Sequence, residues 1–471
     1  MIKHSRNKED LGSNKNGLLR QLGLFDSTMV MVGIVIGSGI FLTTGIMAKS
    51  IPSPFLILLA WLVGGILTLA GALTYAELGA SMPEAGGQYV YLREAYGPIY
   101  GFLFGWILFL VYMTGGIAAL AVAFAEYFGY FFPSLSMSNI IFSLPIPLFG
   151  SSFSYTLSAG QLVGIFAILL LSLFNYFGVI FGKLIQNFFT LLKIMALLAI
   201  IILGFTVGKG TSVSLAINPS GLGFSQFIMG FGVALVAVFW AFDGWNNINF
   251  VAGEIKNPQR NLPLALFLGT LILTTLYILT NVIYLYALPI GEMAGEVRIA
   301  EKAATVLFGG MAPALISVVV IISTFGSLNG SILAGPRVYY AMAKDGLFFQ
   351  GVAKVHPKFH TPGFAIVIQA VWAAILTLSG SFEQLFTFVM FMAIIFWITA
   401  AMAVFKLRKK FPELPRPYKT WGYPVVPIIF IIASVGILLN TLIEKPVESF
   451  AGIAFTALGI PAYFYWKKKK M

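Results

Sequence analysis

Apolar residues in this chain fall in long, nearly unbroken blocks, not in the two-residue alternation of barrel strands. A helix crossing bilayer hydrocarbon needs about 20 such residues at about 1.5 Å rise each. Twelve blocks approach or exceed that length: 27–48, 55–80, 99–129, 159–180, 185–207, 225–251, 263–289, 312–341, 363–379, 383–406, 424–442 and 448–466, numbered here as spans 1 to 12. No Lys or Arg occurs between Arg93 and Lys183. Only helices and closed barrels satisfy their backbone groups in lipid, and blocks this continuous fit helices. The pattern predicts an all-α polytopic membrane protein with twelve transmembrane helices.

Two blocks carry residues that oppose a continuous helix. Span 1 reads Val35-Ile36-Gly37-Ser38-Gly39-Ile40-Phe41, with two glycines around a serine at mid-depth. Span 6 reads Phe239-Trp240-Ala241-Phe242-Asp243-Gly244-Trp245-Asn246, with an acid and a glycine at similar depth. Gly39 and Gly244 stand 205 positions apart, close to five spans and their loops. Spans 1–5 (27–207) and 6–10 (225–406) then form two repeats, inverted because five is odd, and 424–466 adds two more spans. Interrupted helices at matching positions of two halves point to a transporter's central site. Gly-Ser-Gly alone would equally suit close helix packing. A dinucleotide fingerprint fails, because Leu42 stands where its third glycine is needed and no βαβ context surrounds it.

A broken helix exposes N–H groups at the start of one half and C=O groups at the end of the other. The N–H end favours a carboxylate and the C=O end an ammonium. A site with both suits a zwitterion, that is, an α-amino acid. Gly37, Ser38 and Gly39 are assigned to the carboxylate, and carbonyls near Val35, Trp240, Ala241 and Asp243 to the amino group.

Composition supports the membrane reading. Of 471 residues, 59% are hydrophobic and 10% charged, against about 25% charged in soluble domains. The net charge of +12 is therefore read by position. With the N-terminus inside, 23 of the 29 Lys and Arg lie on the inner side, and Lys49, Lys209, Arg298, Lys302 and Lys445 lie outside. Lys193 falls within span 5. Both termini are thus expected in the cytoplasm, as a polar segment 1–26 and a basic tail 467–471 that meets anionic lipid, not nucleic acid. Leu18–Phe25 is mildly amphipathic and suits the inner membrane surface. About 25 polar residues precede the first span, unlike a cleaved signal peptide. The chain contains no cysteine, which removes thiolate chemistry, Cys-zinc sites and disulfides.

Ionisable groups at depth are costly, about 2.5–3.5 kcal/mol on insertion scales, so each is a functional candidate. Lys193 at mid-span 5 suits a fixed cation on the freed carbonyls of span 1 and on span 8. It would fill the space of a sodium ion or serve proton coupling; the plainer reading is a snorkelling or paired lysine. Asp243 is open to three roles: contact with a cationic substrate side chain, proton binding, or support of the break. Glu77 and Glu126, near span ends, are expected at the interface. Trp240 flanks the break and could close over substrate, and Tyr112, beside Thr114-Gly115-Gly116, is a pocket candidate. His356 and His360 are spaced i, i+4 around Pro357 in an inner loop, which disfavours a metal site; neither metal nor cofactor is expected.

These segments resemble the amino acid–polyamine–organocation superfamily, and within it the L-type amino acid transporter group with its bacterial serine/threonine exchangers. The matching stretches are Gly33–Phe41, Pro83-Glu84-Ala85-Gly86-Gly87, Trp240–Asn246, Glu254–Pro263, Asn329-Gly330-Ser331 and Pro412–Pro417. The resemblance implies the five-plus-five inverted repeat with two added spans and alternating access around an amino acid. It implies substrate contacts at Val35, Gly37, Ser38, Gly39, Trp240, Ala241 and Asp243. It also places Lys193 where sodium-coupled relatives bind sodium, which suggests sodium-independent transport. Animal L-type light subunits bond a heavy subunit through a cysteine that this chain lacks, so a disulfide-linked partner is excluded. An intramembrane enzyme would need a buried nucleophile or metal set, yet the only histidines are His4, His356 and His360, outside the spans. A receptor or channel would need signalling domains or a continuous charged pore. Obligatory exchange follows from the resemblance; proton symport or uniport is the alternative, with Asp243 and Lys193 as its candidate groups.

Overall fold

The computed structural model describes residues 18–148, 151–208, 210, 223–378 and 382–470. Residues 1–17, Lys209 and Met471 lie outside the described residues, as does most of the connection between spans 5 and 6. Among the described residues, ten helices are long and apolar enough to cross a membrane. The pair Leu24–Val35 and Gly39–Ser50, bent by 43° at its break, forms an eleventh when taken as one span. The element at span 9, Gly363–Thr377, has 15 residues, about 22 Å of helix, and falls short of that length. The chain is a multi-pass helical membrane protein.

Burial varies widely between helices. Span 3 (Pro98–Phe131) has 78% of its apolar window buried in the protein, whereas the last two, Val425–Glu444 and Pro446–Lys469, have 28% and 22%. Their exposed side chains are large and apolar, among them Ile432, Ile443 and Phe464, which suits lipid contact. Span 5 (Val179–Thr206) buries Gly182, Gln186, Thr190, Lys193, Leu197 and Ile201. These recur every three to four residues and form one stripe. Lys193 therefore faces protein, not lipid, and does not snorkel.

Four features depart from expectation. The connection between spans 3 and 4 forms an antiparallel pair, β1 (Ile140–Leu148) with β2 (Ser151–Ser158). Its β-branched and aromatic residues favour extended backbone over loop. Leu18–Phe25 is not a surface helix. Leu22 is buried in a parallel bridge with Ile255, Gln21 and Leu22 donate to the Glu254 carbonyl, and span 1 starts at Leu24. Buried apolar Leu22 gains more there than at an interface.

Glu77, expected at the interface, is 2% exposed. Arg408 donates to it at 2.8 and 2.6 Å, Thr420 at 2.8 and 2.9 Å, and Arg416 lies 3.6 Å away. The Pro412–Pro417 segment returns to the helix ends and brings Arg416 with it, so burial is compensated. Glu126 does stay half-exposed, paired with Arg298 at 2.8 Å. Lastly, span 3 contains one π-helical turn, Leu108–Tyr112.

Candidate functional site

Span 1 stops at Val35 because its ladder fails there. In a continuous helix the Gly33 carbonyl would accept from the Gly37 N–H. Instead Gly37 donates to Val35, two residues back, at 2.7 Å. The stranded carbonyls are met by side chains. Lys193 Nζ donates to Gly33 O at 2.5 Å, to Ile36 O at 2.8 Å and to Ser327 Oγ at 3.0 Å. Ser327 also reaches Gly33 O and Ile36 O, and Ser323 reaches Ile36 O at 2.8 Å and Gly37 O at 3.2 Å. Lys193 has no exposed surface, and its three donors match three acceptors. Gly326 gives it room: a Cβ there would lie 2.8 Å from Lys193 Cε.

Span 6 runs as an α-helix from Phe224 to Phe242. Asp243 then turns extended, Gly244 takes φ +94°, and Asn247–Glu254 continues as a 3₁₀ segment. Only glycine adopts that φ without strain. The two breaks touch, since a Cβ on Gly39 would lie 2.6 Å from Ala241 Cα.

Between them lies a small cavity. Of the residues singled out in the sequence, Val35, Gly37, Ser38, Gly39, Tyr112, Trp240 and Asp243 line it. Ala241 is buried but does not line it, and Lys193 stands behind the span 1 carbonyls. Tyr112, the last residue of the π turn, donates to Asp243 Oδ1 at 2.7 Å. Ser38 Oγ and Asn247 Oδ1 are buried polar atoms on this wall without a partner among the described residues. The first N–H groups of the helix starting at Gly39 have no acceptor within that helix, so this wall offers donors to an anion.

Sequence reasoning missed Tyr277, Ser323, Ser327 and Asn247, and named Gly116 only as a neighbour of Tyr112 and Ser331 only within a matching stretch. A signal existed for some: Ser323, Ser327 and Ser331 recur every four residues on span 8, and Tyr277 and Asn281 do so on span 7. Among the described residues no group of His, Asp or Glu could hold a metal ion.

A bundle of apolar helices around a central cavity, walled by two interrupted helices, defines a polytopic membrane protein built around a small internal site. The model for amino acid permeases matches residues 22–461, nearly the whole chain, and the chain belongs to that family, whose activity is amino acid transport. It is 37% identical to the serine/threonine exchanger SteT of Bacillus subtilis (strain 168), over 97% of this chain and 98% of that one. It is 31% identical to the human large neutral amino acids transporter small subunit 2, over 98% and 84%. The human cystine/glutamate transporter is 29% identical over 98% and 89%.

Proposed function

We propose that the protein is a sodium-independent exchanger of L-amino acids that works by alternating access in the cell inner membrane, with both termini cytoplasmic. The observation that carries the reading is the cavity wall itself, with the N–H groups of one broken helix beside the turn of the other. The substrate carboxylate binds at Gly37, Ser38 and Gly39. Its ammonium binds the remaining carbonyl lone pairs near Val35 and Trp240 and the Asp243 carboxylate. Spans 1–5 and 6–10 act as the two inverted repeats. The Lys193 side chain holds the span 1 carbonyls of Gly33 and Ile36 where a coupling cation would otherwise bind them, which supports sodium independence. Similarity to a serine/threonine exchanger and to a large neutral amino acid transporter supports neutral substrates.

The test is uptake of labelled serine into vesicles of purified protein, with and without unlabelled serine inside, in sodium or potassium buffer and at several pH values. Exchange predicts uptake that requires internal amino acid and ignores sodium. The second reading, proton-coupled symport or uniport, draws on Asp243, a buried carboxyl on the cavity wall. Uptake that ignores internal serine would reject exchange; following a pH gradient it would establish symport, and ignoring the gradient it would establish uniport.

A further inference from the structure

Tyr277 lies in the middle of span 7 (Pro258–Ala287) and is fully buried. Its hydroxyl donates to the carbonyls of Val35 and Ala241, each at 3.0 Å. Val35 is the last α-helical residue before the span 1 break, and Ala241 precedes the span 6 break by one residue. One hydroxyl proton is thus shared between the ends of both interrupted helices. Each carbonyl has two lone pairs, so accepting from Tyr277 does not exhaust it.

The tyrosine is itself held. Its ring meets Trp61 at 5.4 Å and Phe242 at 5.1 Å between centroids. Asn281, one turn on, donates to the Tyr277 carbonyl at 2.8 Å and accepts from Thr44 at 2.6 Å. Thr44 belongs to the outer half of span 1, Gly39–Ser50. Span 7 therefore braces both halves of span 1 and one half of span 6 through a single face.

We propose that Tyr277 is a positioning residue for substrate affinity: its hydroxyl fixes the separation of the two breaks, and so sets how well their peptide groups fit an amino acid backbone. This rests on the reading of the cavity as the amino acid site. Tyr277 stands behind the carbonyls and does not line the cavity. Its effect must then be the same for every side chain, because it acts on the groups all α-amino acids share.

The experiment is exchange in vesicles by wild type, Tyr277→Phe and Gly39→Ala, with initial rates measured against external serine and against external leucine. Phenylalanine keeps the ring packing and removes only the shared proton. For Tyr277→Phe the half-saturating concentration is expected to rise about tenfold for both substrates by the same factor, the loss of about one good hydrogen bond. Maximal rate per folded protein should stay within about twofold. An unchanged half-saturating concentration, a shift for one substrate only, or a fall in maximal rate alone would each overturn the proposal. If the variant does not reconstitute, serine-dependent thermal protection in detergent reads the same affinity. Gly39→Ala separates the two ideas. If it saturates like wild type, the site reading itself falls; if it is crippled while Tyr277→Phe is unaffected, only the role of Tyr277 falls.

Discussion

The two interruptions are chemically unlike. At the span 1 break the stranded carbonyls of Gly33, Val35, Ile36 and Gly37 are met by Lys193, Ser323, Ser327 and Tyr277. At the span 6 break the turn is made by a glycine at positive φ and continued by a 3₁₀ segment. There the Asn246 and Asn247 amide oxygens are buried without a partner among the described residues, and Asp243 accepts from Tyr112 at its rim. A saturated break is rigid, because moving it strands several buried acceptors at about 1–3 kcal/mol each. An unsaturated one keeps groups available for substrate. The carbonyl end of span 1 is thus the fixed side of the site, its N–H end from Ser38 onward stays open to substrate, and the span 6 turn beyond Ala241 is the side with fewer side-chain partners.

The largest effect should come from the fixed side. Lys193→Ala removes the donor that reaches Gly33, Ile36 and Ser327 together. Two serines remain on those carbonyls, so the fold should survive, but the break loses its lysine. Transport of labelled serine per folded protein should fall about a hundredfold or more, about 2.7 kcal/mol or greater. Wild-type rates with normal recovery on size exclusion would show that the lysine is dispensable and that the serines alone hold the break.

Next comes the seam between the breaks. Gly39→Ala places a Cβ 2.6 Å from the Ala241 Cα, a backbone atom that cannot rotate away. The two helices must separate, which displaces both the N–H wall and the carbonyls held by Tyr277. A rise of about thirtyfold in half-saturating serine is expected, larger than for loss of any single hydrogen bond. A shift of only a few fold would mean that span 6 yields at the seam as well as at its turn, while no shift at all would bring down the site reading.

How far the sequence foretold this follows from what kind of signal each feature leaves. Both breaks were legible, because glycine and aspartate in apolar blocks oppose helix at any depth. Lys193 was legible for the same reason, and its predicted partners on spans 1 and 8 are those observed. Tyr277 was not. A tyrosine among apolar residues reads as packing until the fold shows where its hydroxyl lies. Glu77 was misplaced because its partners, Arg408 and Arg416, are more than 300 positions away, and Arg416 meets it only through the return of the Pro412–Pro417 segment. The π turn left no trace in composition, since Leu108–Tyr112 looks like any other stretch of span 3.

The smallest effect should come from the side with fewer partners, and it gives the sharpest check on the comparison. Tyr112→Phe deletes the 2.7 Å bond to Asp243 and keeps the ring. Asp243 lines the cavity, so water or substrate can replace the lost donor. The half-saturating concentration should rise only about threefold, within the range of one replaceable hydrogen bond. The change should fall on serine and leucine alike, because the Asp243 carboxylate is proposed to hold the ammonium that both share. A shift as large as that of Lys193→Ala would show that Asp243 needs its tyrosine as strictly as the span 1 carbonyls need their lysine. The two breaks would then be equally rigid, and adaptation to substrate would have to reside in the helices around them.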